Sequence, residues 1–355
     1  MKRALLTLLT AGMLLAGCGS ESSSSAETTT TTSAPAVTET ASEASSQPSG
    51  ETKQSVPGFK VEGTKLLDAN GNEFVMRGVN HAHSWFVQND FAALQAIDKT
   101  DANAVRLVLA DGEQWTRDTV ESINKLLELC KQYEMIAILE VHDATGKDSI
   151  DSLNTAADFW IEVKDSLIGN EDTVILNIAN EWIGGWSSGT WAKGYTSVIP
   201  KLREAGIKNT IMVDAAGWGQ YAKSIKDKGK EVFESDPDRN TMFSIHMYGS
   251  AGKDESTIRK GLEGATDQGL CVCVGEFGYK HSDGDVDEDF IMDYCEEQGI
   301  GWLGWSWKGN GGGVEYLDIS IDWNGKKLSN DWGAVLVNGA KGIRATSKKC
   351  SVFAS

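Results

Sequence analysis

The fold class predicted by this sequence is a (β/α)₈ barrel, an α/β TIM barrel preceded by a short N-terminal hairpin. Three observations predict it. Eight strand-like apolar runs follow one another: Val75–Val79, Ala104–Leu109, Met135–Val141, Thr173–Ala179, Thr210–Asp214, Met242–Tyr248, Leu270–Gly275 and Gly301–Trp307. Their starts lie 29, 31, 38, 37, 32, 28 and 31 residues apart, which leaves room for a helix and two loops in each gap, as parallel strands require. The first strand also runs into Gly78-Val79-Asn80-His81, without the glycine-rich turn that usually opens a doubly wound sheet, the structural alternative.

The elements follow in chain order. Residues 1–18 read as a lipoprotein-type signal peptide. Lys2 and Arg3 precede the apolar stretch Ala4–Ala16, which is short for a membrane span, and Leu15-Ala16-Gly17-Cys18 resembles a bacterial lipobox. In such proteins the chain is cut before the Cys, so Cys18 would carry the lipid; an ordinary signal peptide with a coincidental Cys is the plainer alternative. Residues 19–55 are a disordered linker: 19 of the 37 are Ser or Thr, with no aromatic and no Leu. Its r.m.s. span is roughly 30–35 Å. The implied location is extracellular, tethered to the cell membrane.

Residues 56–355 form the folded domain. It opens with a hairpin in which Asp68-Ala69-Asn70-Gly71 turns between Lys65–Leu67 and Glu73–Val75. Helices are predicted over Thr116–Gln132, Asn154–Leu167, Trp191–Ala205, Ser256–Asp267 and Val286–Gln298. Five Cys remain beyond Cys18, an odd number, so at least one stays unpaired within the chain. Cys130 falls on the apolar stripe Val120, Ile123, Leu127, Cys130 and reads as an inert core residue, whereas Cys271 or Cys273 could reach Cys295. Neither the pairing, which also involves Cys350, nor the oligomeric state follows from the sequence, and a monomer is the simplest expectation.

At 355 residues, 40% hydrophobic, the chain can bury a large core. Its 33 basic and 51 acidic residues give a net charge of −18, which argues against nucleic acid or an anionic lipid surface as ligand. A neutral polymer suits that charge.

Barrels of this kind build their chemistry at the C-terminal ends of the strands. There the sequence places Arg106 on the second strand, His142-Asp143 after the third and Asn180-Glu181 after the fourth. His246 and Tyr248 end the sixth, Glu276 the seventh, and Trp305 and Trp307 the eighth. Two glutamates on opposed strands suit glycosidic hydrolysis, one protonating the leaving oxygen while the other attacks the anomeric carbon. Arg106 and the Tyr248 phenol, beside Glu276, would favour its carboxylate, and His246 near Glu181 would help keep the acid protonated. Asn180 offers an amide to a sugar hydroxyl and Trp305 a face for a pyranose ring. Singly these residues have plainer readings: a Glu at a strand end often caps a helix or pairs with a cation, and Arg106 could pair with Glu140. Strand alternation points several of them inward together. It also places Glu276 on one face with Val272 and Val274, sending Cys271 and Cys273 outward. Seven of the twelve Trp (Trp85, Trp115, Trp182, Trp186, Trp218, Trp305, Trp307) lie near strand ends, a distribution suited to stacking on a long sugar chain.

Arg77-Gly78-Val79-Asn80-His81, Val141-His142-Asp143-Ala144-Thr145-Gly146, Asn180-Glu181-Trp182, Gly275-Glu276-Phe277-Gly278 and Trp305-Ser306-Trp307-Lys308-Gly309-Asn310-Gly311 resemble family 5 glycoside hydrolases, specifically secreted bacterial endo-β-1,4-mannanases. The likeness runs from about Gly58 to the C-terminus. It implies retaining endo-hydrolysis of a plant β-mannan-type polysaccharide, with Glu181 as acid/base and Glu276 as nucleophile. Arg106, His142, Asn180, His246, Tyr248 and Trp305 match the surrounding substrate and support positions, and no cofactor or metal is implied. His81 and His83 are both candidates for the histidine of the first strand. An endo-β-1,4-glucanase of the same family is the alternative. Two further rivals are a non-catalytic glycan-binding lipoprotein, which would dispense with a catalytic carboxylate, and a metal-dependent hydrolase. The latter has only His81-Ala82-His83 to offer, with no carboxylate ligand evident beside it.

Overall fold

A computed structural model describes residues 53–354; the signal peptide, Cys18 and nearly all of the linker lie outside the described residues. The eight barrel strands are β1 (Arg77–His81), β2 (Ala104–Leu109), β3 (Ile136–Val141), β4 (Val174–Asn177), β5 (Ile211–Asp214), β6 (Thr241–Met247), β7 (Val272–Phe277) and β8 (Gly301–Gly304). Each pairs in parallel with its sequence neighbours, and β8 closes on β1. Around them run α1 (Asp90–Asp98), α2 (Val120–Gln132), α3 (Ile150–Glu162), α4 (Ser188–Glu204), α5 (Lys223–Ser235), α6 (Glu255–Thr266), α7 (Glu288–Gln298) and the short α8 (Gly333–Asn338). α1, α5 and α8 were not among the predicted helices. Helix starts are fixed by side chains that satisfy free backbone N–H groups: Thr119 and Ser122 form a reciprocal cap on α2, and Ser187 and Asp254 cap α4 and α6.

Alternation along the strands sorts two apolar layers. Val105, Leu107, Leu139, Leu176 and Val213 face outward and pack with Ile123, Leu127 and Cys130 of α2 and with the other helices. Ala104, Ile136, Ile138, Ile175, Met212, Met242 and Leu303 face inward and fill the lower barrel. Phe59, Leu66 and Phe74 belong to that inner cluster, so the N-terminal segment plugs the base of the barrel. Asn240, just before β6, fastens it there: its Oδ1 accepts from the Val61 N–H and its Nδ2 donates to the Phe59 carbonyl.

Two expectations are corrected. The paired hairpin is Lys60–Glu62 with Lys65–Leu67. The turn at Asp68 exists, but Leu67 and Glu73 across it share a single antiparallel bridge. There Asp68 accepts from the N–H groups of Asn70, Asn72 and, near the C-terminus, Ser351, which holds this segment as a clasp rather than a ladder.

The second correction concerns β7. Cys271 and Cys273 point into the barrel, while Val272 and Val274 face the helices. Val274 pairs with Ile245, but the next pair is Glu276 with His246, so Gly275 is an extra residue. This bulge returns Glu276 to the inner face, where simple alternation from Val274 would also have pointed it outward. Glycine is required there, because a Cβ on residue 275 would lie 2.2 Å from Ser244 Oγ. Cys295 lies in the outer layer, and all five described cysteines are free.

Candidate active site

Arg106, fully buried on β2, organises the centre of the mouth. Its Nη1 donates to Glu276 Oε1 at 2.8 Å and to Asn80 Oδ1 at 3.0 Å. Nε and Nη2 share Asn177 Oδ1, and Nη2 also reaches Asn180 Oδ1 at 2.7 Å. Glu140, the partner suggested by the sequence, is farther away at 3.7 Å and instead accepts from His142 Nδ1 at 2.9 Å. Burial pulls the His142 imidazole down, but Glu140 reverses this and leaves it raised.

Glu276 accepts from Arg106 on one oxygen and from the Tyr248 hydroxyl on the other, at 2.9 Å. With a donor on each oxygen, it is the member of the pair arranged to be ionised. Its proton affinity is nonetheless not lowered as expected. Burial pushes Glu276 up, His246 and Arg106 offset only part of that, and neighbouring Glu181 adds to it.

Glu181 sits beyond the end of β4 in the left-handed region, φ 41°, which side chains seldom occupy. Its N–H donates to Asp214 Oδ2 at 3.0 Å, its carbonyl accepts from the Gly146 N–H, and Oε1 meets His246 Nδ1 at 2.7 Å. A carboxyl oxygen of Glu181, one of Glu276 and a ring nitrogen of His246 all lie within 4.8 Å of one another. Burial pulls His246 down, but the charges of Glu276 and Asp214 lift it to about 10, so it is an imidazolium at neutral pH. His246 therefore stands beside Glu181 as the sequence reading expected, but as a charged neighbour. The same three residues converge closely enough to surround a metal ion.

The remaining sequence candidates line one cleft of about 360 Å³, shared by His142, Asn180, Glu181, Tyr248, Glu276 and Trp305. Trp305 stacks on His142 with ring centres 5.9 Å apart and planes at 22°. Asn180 is less available than expected, since Arg106 takes its oxygen and Thr145 Oγ1 one of its N–H groups. Of the seven Trp placed at the mouth, Trp182 and Trp307 are core residues. Trp218 is 48% exposed and lies against Gly146 and Gly184, where a Cβ would come within 2.1 and 2.8 Å of its ring.

His81 and His83 do not enter the cleft. Asp90 bridges them, accepting from His81 Nε2 and His83 Nδ1, and Asp118 meets His83 Nε2, so carboxylates do stand beside this pair. Burial pulls His83 down, but hydrogen bonds and charge from Asp118 and Asp90 raise it to about 9. The residues missed by the sequence reading are Asn80, Asn177, Asp214 and Gln220, whereas Trp218 lines the cleft as its place near a strand end suggested. Asp214 did end a predicted strand, and Asn80 stood in a quoted motif; nothing singled out the others.

The model of cellulase (glycosyl hydrolase family 5) matches residues 67–311. A mannan endo-1,4-beta-mannosidase of Salipaludibacillus agaradhaerens is 56% identical over 83% of this chain and 96% of its own. The β-mannanase of Thermomonospora fusca superposes with a TM-score of 0.80 at 42% identity, over 84% of this chain and all of the other, and has also been solved as a mannohexaose complex. An endoglucanase A of Butyrivibrio fibrisolvens shares 26%, over 74% of this chain and 63% of its own.

Proposed function

The chain belongs to glycosyl hydrolase family 5, and on that premise we propose that it is a retaining endo-β-1,4-mannanase with Glu276 as nucleophile and Glu181 as acid/base. The observation that carries the proposal is the approach of one oxygen from each of the two carboxyls to within 4.8 Å of the other, close enough for the shorter spacing. Direct attack on the anomeric carbon uses a separation of roughly 5–5.5 Å, whereas inversion needs about 6.5–9.5 Å to admit a water. The strong likeness to proteins named for mannan supports mannan, glucomannan or galactomannan over cellulose.

In the first step a Glu276 oxygen bonds to the anomeric carbon, the glycosidic C–O bond breaks, and the leaving oxygen takes the Glu181 proton. Water then attacks the glycosyl-enzyme, giving its proton to Glu181 and restoring the Glu276 carboxylate. Arg106 and Tyr248 hold the attacking carboxylate in place. The positive charge of His246, 2.7 Å from Glu181, stabilises the carboxylate that appears there as the proton leaves. Trp305 and Trp218 offer faces to the sugar rings.

Two assays test this. Reducing-sugar release should be faster on glucomannan or galactomannan than on carboxymethylcellulose or xylan; fastest release from carboxymethylcellulose would overturn the substrate. The first product seen by NMR should be the β-anomer. Azide should rescue Glu276→Ala to an α-azide, and a β-azide there would mean that the two roles are exchanged.

The proposal extends to location: the protein acts as a monomer outside the cell, held to the membrane by a lipid on Cys18. Support comes from the run Leu15-Ala16-Gly17-Cys18 and the Ser/Thr-rich segment after it. Cys18→Ala should leave the membrane fraction, and unchanged fractionation would exclude the anchor. Removing residues 1–55 should keep specific activity on soluble polymer within about twofold, since the segment has few residues able to pack.

A further inference from the structure

Beside the cleft lies a larger cavity, about 700 Å³, between the first turns of α5 and α6. Ile245 and Met247, on the outer face of β6, form an apolar floor. Trp186 forms one wall; it is 56% exposed, its ring centre is 5.0 Å from that of Tyr221, and it lies close over Gly217, where a Cβ would come within 3.0 Å. Lys223 on the rim is held by Asp227, but Lys226 and Lys260 have no carboxylate partner among the described residues.

This cavity adjoins the cleft. Gln220 lines both, its Oε1 accepting from the Ser250 N–H on the cavity side and its Nε2 donating to Asp283 on the cleft side. The loops after β4 and β5 are joined by backbone bonds from Gly217 N–H to the Gly185 carbonyl and from Trp218 N–H to the Ile183 carbonyl. They thereby carry one exposed Trp on each side of the join, Trp218 in the cleft and Trp186 in the cavity. The first of these loops begins at Glu181. The cavity therefore lies on the side of the residue that protonates the leaving group.

We infer that this cavity binds the departing half of the polysaccharide, taking neutral sugar units beyond those next to the scissile bond. The inference rests on the glycosidase reading above. Trp186, backed by Tyr221, presents the flat apolar face that a pyranose ring stacks on. The two unpaired ammonium groups donate to sugar hydroxyls. The stacking face, the apolar floor and the adjoining cleft suit a neutral chain, the two lysines notwithstanding.

The test compares native protein with Trp186→Ala and with the double variant Lys226→Ala/Lys260→Ala, on long glucomannan and on mannotetraose as the short substrate. Loss of one stacked ring should raise KM for the polymer roughly fivefold, with kcat and the mannotetraose constants within about twofold of native. Retardation in native gels containing glucomannan, measured in a Glu276→Ala background so that the polymer stays intact, should fall in the same variants. Unchanged polymer KM and retardation would overturn the inference. Equal losses on polymer and mannotetraose would also overturn it, since the variants would then act on the cleft itself. Retardation by a uronate-bearing polymer in place of glucomannan would refute the neutral assignment. Glu276→Ala alone tests the underlying reading: if it still turns over mannotetraose, the glycosidase assignment fails whatever the cavity does.

Discussion

Replacing Asp214 by Asn should release the proton that His246 holds. Asp214 Oδ1 lies 3.6 Å from His246 Nε2, and both side chains are fully buried. Unit charges at that distance attract by about 4–5 kcal/mol at an effective dielectric constant of about 20, equivalent to about a thousandfold in proton affinity. An amide of the same shape can still accept from the Glu181 N–H, so the backbone stays in place while the charge is lost. His246, at about 10 in the native protein, should then titrate near pH 7 by this magnitude. Ring ¹⁵N shifts of His246, followed by NMR against pH, report it directly. At pH 8 the variant should lose roughly tenfold or more in kcat/KM on polymer, because no cation remains beside Glu181 as it gives up its proton, while near pH 5.5 it should approach native rates. A His246 that stays protonated to pH 9 in the variant would refute this account of its charge.

Three further outcomes are expected. Gly275→Ala should cost about 1–3 kcal/mol of stability and most of the activity, because its Cβ would meet Ser244 Oγ at 2.2 Å and His246 Nε2 at 3.2 Å; adding Ser244→Ala should recover part of the stability in denaturant titrations, and a fully stable single variant would disprove the bulge. His83 is raised from 6.5 to about 9 by its carboxylates, so its contribution of about 3 kcal/mol is complete below pH 6.5 and is lost as pH rises through 9. Calorimetry should accordingly show the Tm falling over that interval, and falling less in His83→Gln. Burial pushes the Cys130, Cys271, Cys295 and Cys350 thiols up to about 12. A thiol reagent should therefore find almost nothing in native residues 56–355 and five equivalents after denaturation, whereas three would reveal a disulfide.

What could be read in advance divides along a physical line. Ala104–Leu109 was legible to the residue because apolar alternation and crossover spacing are properties of the local chain. Glu181 and Glu276 were legible because chemistry of this kind must sit at strand ends. The bulge at Gly275 was not, since it exists only in the register between β6 and β7; Glu276 reaches the inner face although Val272 and Val274, from which alternation counts, face outward. The charge of His246 was equally hidden. It depends on Asp214 and Glu276 arriving from two other strands, and a histidine near a glutamate is compatible with either sign of influence. Trp182 and Trp307 show the same limit, for nearness to a strand end does not say which way an indole turns.

The plug beneath the barrel carries a consequence for how the protein would stand at a cell surface. The described chain enters at Lys53 and runs under the strands, where the Phe59 N–H donates to the Glu171 carbonyl just before β4. That is the pole opposite Glu181 and Glu276. A lipid on Cys18 would therefore pull on the closed end and leave the open end facing the medium. An attachment at that pole would let the mouth reach insoluble polymer without the barrel having to turn over. An attachment beside the mouth would hold the cleft against the lipid headgroups, where a rigid polysaccharide could not lie.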